Sequence, residues 1–190
     1  MANKDSAFGL KPVRTMGGVS NFTANEYVIA SGATGPIYQG TPVVMDGAGG
    51  DIVVAAAGDA DIVGVFWGCS YTDPTTGKPT WSNYYPGSIA ASDIVAQVYD
   101  DPRIVFEVQS AGTVTQADVG ANADMTTIGA GSSTTGISSA EISATTASGT
   151  AQLRIIGLSK DPDNSDTSAA NGNVYVLINE HAYTQTIGTN

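Results

Sequence analysis

Apolar and polar residues alternate in short runs along most of the chain, and each run ends at a cluster of Gly, Asp, Asn or Pro. "NEYVIASG" (25–32), "GDIVVAAAG" (50–58), "ADIVGVFWGCSY" (60–71), "AQLRIIGLS" (151–159) and "NVYVLINEHAY" (173–183) each read as a strand. "PIYQGTPVVMDG" (36–47) reads as a strand pair kinked at Gly40-Thr41-Pro42, with Pro42 at an edge or a strand start. "DIVAQVYDDPRIVFEVQ" gives strands 94–99 and 104–109 around a turn at Asp100-Asp101-Pro102. No long segment keeps a 3.6-residue period. "TQADVGANAD" predicts one short helical turn capped by Thr115, and the Gly/Ser/Thr/Ala stretch 129–150 predicts weak strands and loops. The fold class expected is all-β: a single β-sandwich or small, jelly-roll-like β-barrel. It is divided into an extended N-terminal arm, residues 1–25, and a β-rich domain, residues 26–190.

An aromatic hairpin over residues 62–87 stands out, because it contains six of the fourteen aromatic side chains and the only cysteine. Period two places Val65, Trp67, Cys69 and Tyr71 on one face of its first arm. Trp81, Asn83 and Tyr85 share a face of the second, next to Tyr84. Only the loop 73–79 is expected to project. Three roles fit Trp67, Tyr71, Trp81, Tyr84 and Tyr85: core of a β-layer, partner interface, or a platform that stacks on sugar rings.

Charge narrows the function classes. The net charge is −11, which disfavours direct contact with nucleic acid or an anionic membrane surface. Lys4, Lys11 and Arg14 against Asp5 put +2 on the first fourteen residues and leave −13 on the rest. Pro12 and Gly17-Gly18 argue against a helix or an independent sheet there. Extended, sixteen residues reach roughly 50 Å at about 3.3 Å each, enough to strap one subunit to another. In that reading Lys4, Lys11 and Arg14 supply charge complementarity, and Phe8 and Leu10 fill apolar pockets on the partner. One cysteine excludes an intrachain disulfide, no run approaches the length of a membrane-spanning helix, and the start lacks a signal peptide's apolar stretch. Synthesis in the host cytoplasm is expected.

Catalytic chemistry finds little support. His181 is the only histidine, no G-x-S-x-G elbow surrounds a serine, and Cys69 lies on an aromatic strand face; a structural or interfacial histidine is expected. Asp100 and Asp101 are adjacent, which suits a turn better than a glycosidase pair. "DPDNSDTSAANG" begins like a calcium loop with Asp161, Asp163 and Asp166. It has Asp166 where Gly is required and Gly172 where Glu is required, so a solvated acidic loop is the better reading and weak calcium binding the lesser one. No cofactor is expected.

Several stretches together resemble the small β-rich structural proteins of tailed bacteriophages that decorate or cement the capsid. They are "MANKDSAFGLKPV", "IYQGTPVVM", "IVGVFWGCSYTDPTTGKPTWSNYYP", "IVAQVYDDPRIVFEVQ", "ADVGANADM", "AQLRIIGL" and "VYVLINEHAY". The resemblance covers most of the chain and weakens over 129–150. It implies a non-enzymatic virion protein on the outer capsid surface, a homo-oligomer with the major capsid protein as partner, that stabilises the shell against packaged DNA. The alternative is a head-fibre or tail component that binds host surface glycans, and a more distant one is a hydrolase with a carboxylate cleft.

Overall fold

A computed structural model describes residues 3–47, 50–147 and 150–184. Its strands run in chain order as β1 (Lys11–Thr15), β2 (Asn25–Val28), β3 (Pro42–Met45), β4 (Ile52–Val54), β5 (Ile62–Thr72), β6 (Pro79–Ser82) and β7 (Val95–Tyr99). They continue as β8 (Ile104–Gln109), β9 (Asn122–Thr126), β10 (Gly131–Ser132), β11 (Ile137–Ser138), β12 (Glu141–Ala147), β13 (Leu153–Leu158) and β14 (Asn173–Ile178). One antiparallel sheet has the order β1-β8-β14-β13-β9-β12. A second has the order β2-β7-β5-β3-β4, with β6 paired to β5, and β10 pairs with β11. The expected all-β sandwich is the architecture observed.

Alternation along the strands builds two cores. Ile104, Phe106 and Val108 of β8 join Val174, Val176 and Ile178 of β14, Leu153 and Ile155 of β13, and Ile62 and Val65 of β5 in the core between the sheets. The opposite face of the second sheet carries Val43, Phe66, Cys69, Ala96 and Val98. These are covered by Ile29, Ile37, Tyr85 and Ile94 from the connecting segments. Each fully buried aliphatic or aromatic side chain contributes roughly 1.5–3 kcal/mol by leaving water.

Two expectations about local chemistry hold. Pro42 opens β3, where its missing N–H costs no ladder bond. Thr115 precedes a short 3-10 turn, Gln116–Asp118, and the Asp118 carboxylate accepts from the Thr115 backbone N–H (2.8 Å) and hydroxyl (2.9 Å).

Two others are corrected. The segment read as a free arm lies on its own domain. β1 is the edge strand of the first sheet, paired antiparallel with β8, and Leu10 is 1% exposed in the main core. Buried Gln109 accepts from the Ser6 N–H (3.0 Å) and donates to the Lys4 carbonyl (2.9 Å). Asn164 also donates to the Lys4 carbonyl (2.7 Å), and Asn3 donates to the Ala170 carbonyl (2.8 Å). The residues are extended, as Pro12 requires, but the backbone hydrogen-bonding groups of an extended segment are satisfied by the sheet edge beside it.

The second correction concerns parity in β5. Phe66 stands opposite Val98 and Gly68 opposite Gln97, so Trp67 is an extra, bulged residue. A bulge reverses the in–out order beyond it. Val65 therefore faces the main core while Cys69 joins Phe66 in the second, and Trp67 is left at the surface, 37% exposed. On the return arm β6 ends at Ser82, so Trp81 is 60% exposed whereas Tyr85 is fully buried. Of the roles considered for the two tryptophans, full burial in the core of a β-layer is thus not the one observed.

Candidate functional site

The bulge and the N-terminal segment meet at a surface groove of about 460 Å3. Gly9 shapes one side. Its φ is +70°, and a Cβ there would lie 2.6 Å from the Gly40 carbonyl oxygen, so only glycine allows this approach. Leu10 then donates its N–H to Gly40 (2.9 Å) and points into the core. Half-buried Phe8, exposed Trp67 and exposed Ile137 give the groove apolar walls above Leu10. The Trp67 ring leans on Tyr99, with centroids 5.3 Å apart, and Tyr99 meets Phe22 edge-on at 5.9 Å.

The polar part of the groove is ordered by Ser159. This buried hydroxyl donates to Glu107 Oε1 (2.6 Å) and accepts from the Asp161 N–H (3.3 Å). Glu107 and Asp161 are thereby held on one wall. Lys11 stands opposite Glu107 in the β1–β8 register and makes no ion pair among the described residues. Asn173 lines the same groove, is 5% exposed, and leaves Oδ1 without a hydrogen-bond partner among the described residues. The chemistry these groups offer is charge, hydrogen bonding and stacking.

Of the residues singled out from sequence, the structure gathers Phe8, Leu10, Lys11, Trp67 and Asp161 here. Lys4 and Arg14 are elsewhere. Lys4 contributes its carbonyl to Gln109 and Asn164, and the Arg14 guanidinium donates to the Thr15 carbonyl at 3.4 Å. Glu107, Ile137, Gln39 and Asn173 complete the groove without having been singled out. Glu107 carried a signal, as the one charge inside the apolar run "IVFEVQ"; the other three carried none.

The other hairpin aromatics divide. Tyr85 is a core residue whose hydroxyl donates to the Ala33 carbonyl (3.0 Å) and accepts from the Ile89 N–H (3.3 Å). Tyr84 stacks on Tyr38 with centroids 5.8 Å apart. Tyr71 and Trp81 line an open depression of about 320 Å3 with Thr80 and Asp93. The Trp81 indole also covers Gly68, where an added Cβ would lie 2.9 Å from the ring. An aromatic ring over a cross-strand glycine shields backbone that has no side chain of its own. The hairpin loop is tied by Asp73, whose carboxylate accepts from the Thr75 and Thr76 N–H groups (2.7 and 2.9 Å); these bonds hold its carboxyl below the usual range.

The remaining chemical candidates are engaged structurally. His181 is fully buried, its Nδ1 accepts from the Tyr183 N–H (3.2 Å), and burial lowers its pKa against the opposing pull of Asp100 and Asp101. Asp100 accepts from Asn25 Nδ2 (2.8 Å) and the Tyr27 hydroxyl (2.7 Å), and Asp101 from the Arg103 N–H (2.9 Å). Asp100 is therefore half-buried and bonded rather than facing water. The Cys69 thiol is pushed up to about 12 by burial. Asp161 and Asp166 turn oxygens onto the N–H groups of Asp163 and Ser168, and among the described residues no group of three His, Cys, Asp or Glu is placed to share a metal ion. No protein-family profile, curated protein or solved structure matches this chain.

Proposed function

We propose that this is a non-enzymatic virion structural protein of a tailed bacteriophage, a decoration protein that seats on the outer capsid surface and stabilises the shell, acting as a homo-oligomer. The sequence resemblance points to that class. The observation that carries the reading is the groove: Phe8 and Lys11, expected to bind a partner as parts of the arm, lie on one concave face with Trp67, for which a partner interface is one of three expected roles. Docking through a preformed face replaces the free strap, because Leu10 is already used in the chain's own core. A preformed face loses less entropy on binding than an arm that must be ordered.

The test uses capsids of the encoding phage prepared without this protein. Adding the full chain is expected to raise the temperature at which they release DNA, and Trp67→Ala with Phe8→Ala is expected to abolish the effect when the protein is added at a temperature where circular dichroism shows the variant fully folded. Capsids that neither bind the protein nor change in stability would end the reading.

Exposure of Trp81 beside Tyr71, Thr80 and Asp93 favours a second reading, a head-fibre or tail component that stacks a host sugar on the indole. Saturable quenching of Trp81 fluorescence by a surface glycan, lost in Trp81→Ala, would support it. The cover that Trp81 gives Gly68 supplies an internal reason for its position, so the docking reading stands first.

A further inference from the structure

We propose that the groove formed by Phe8, Trp67 and Glu107 accepts an arginine side chain of the partner protein; this rests on the docking reading. Three features point to a planar cation with several N–H donors. First, acceptors dominate the polar wall. Glu107 uses Oε1 for Ser159 and Asp161 uses Oδ1 for the Asp163 N–H, which leaves one oxygen of each carboxylate without a hydrogen bond among the described residues. Second, Asn173 lines this wall, 95% buried, and its Oδ1 is closed off from solvent with no hydrogen-bond partner among the described residues, so a ligand's N–H meets it once the amide turns toward the groove. Third, Trp67 and Phe8 supply flat apolar surface beside the carboxylates.

A guanidinium presents five N–H donors in one plane and stacks on indole, so it meets all three demands at once. A lysine ammonium has three donors and no planar face. A neutral sugar stacks and donates, but it leaves two carboxylates partly desolvated with no added positive charge. Among the described residues Lys11 is the one cation lining the groove and balances one of the two carboxylates, so the site keeps a net negative charge within a chain of −11.

The experiment uses the full chain carrying Trp81→Phe, in which Trp67 is the only indole. Acetyl-arginine amide, its neutral citrulline counterpart, acetyl-lysine amide and a neutral hexose disaccharide are titrated, with Trp67 emission and its indole N–H resonance as readouts. A saturable shift with the arginine probe is expected, at least tenfold weaker with citrulline and weakened by added salt. Glu107→Gln with Asp161→Asn is expected to remove it at an unchanged melting temperature. Should that double variant melt early, Asp161→Asn alone, at an exposed position, is expected to weaken arginine at least threefold. No response to arginine, equal binding of citrulline, or a saturable response to the disaccharide instead would overturn the proposal. Capsid binding that persists without an arginine response overturns this inference and leaves the docking reading intact. Arginine binding without capsid binding does the reverse.

Discussion

Replacing Gln109 by alanine should loosen the N-terminal segment selectively. Gln109 is 1% exposed and its amide makes three hydrogen bonds: from the Ser6 N–H (3.0 Å), to the Lys4 carbonyl (2.9 Å) and to the Asn171 carbonyl (3.3 Å). A net contribution near 1 kcal/mol for each of the two shorter bonds, and less for the third, gives about 2–3 kcal/mol. For a chain of this size that corresponds to a fall in melting temperature of roughly 5–10 °C. The loss should be local first. Asn164 still holds the Lys4 carbonyl, Leu10 still donates to Gly40, and β1 still pairs with β8. Native-state hydrogen exchange should therefore show faster exchange at the Ser6 amide, with Arg14 and Thr15 in β1 unchanged at low denaturant. A cost below about 0.5 kcal/mol, or loss of protection spreading at once through β1, would refute the reasoning. The first outcome would mean the amide bonds contribute nothing net. The second would mean the segment unfolds as one unit with the edge strand.

Trp81→Ala should cost on the order of 2 kcal/mol, because only part of the ring is covered, whereas Tyr85→Ala should cost about 3–5 kcal/mol by emptying the second core; equal costs in urea denaturation would contradict the assigned burial. The folded pKa of His181 lies below its ordinary value of 6.5, so the unfolded chain takes up the proton first. Its contribution is intact above pH 6.5 and is lost as pH falls below it, and the slope of melting temperature between pH 7 and 5.5 should flatten in His181→Gln. A slope identical in both proteins would show that the burial of His181 has no energetic consequence. With its thiol pushed up to about 12, Cys69 should resist iodoacetamide at pH 8 while folded and react promptly in denaturant; rapid labelling of the native protein would contradict the buried placement.

Local pattern determined the all-β class, the position of β8, the start of β3 at Pro42 and the turn capped by Thr115, because each follows from a few neighbouring residues. Period two needs only side chains that face opposite ways, and a cap needs one carboxylate three residues from its threonine. The two features that make the site were set at longer range. The extra residue at Trp67 is defined only by the partner strand β7, since "VFWGC" alternates equally well with or without a bulge. That one residue decides that Cys69 is core and Trp67 is surface. The N-terminal segment carries every local mark of a free arm, yet its partners, Gln109, Asn164 and the Asp166–Ala170 loop, lie more than a hundred residues away in sequence. Neighbouring residues cannot reveal whether an extended edge finds its hydrogen bonds in another subunit or in its own sheet. Tertiary packing made that choice, and by laying Phe8 and Lys11 beside Trp67, Glu107 and Asn173 it created the groove.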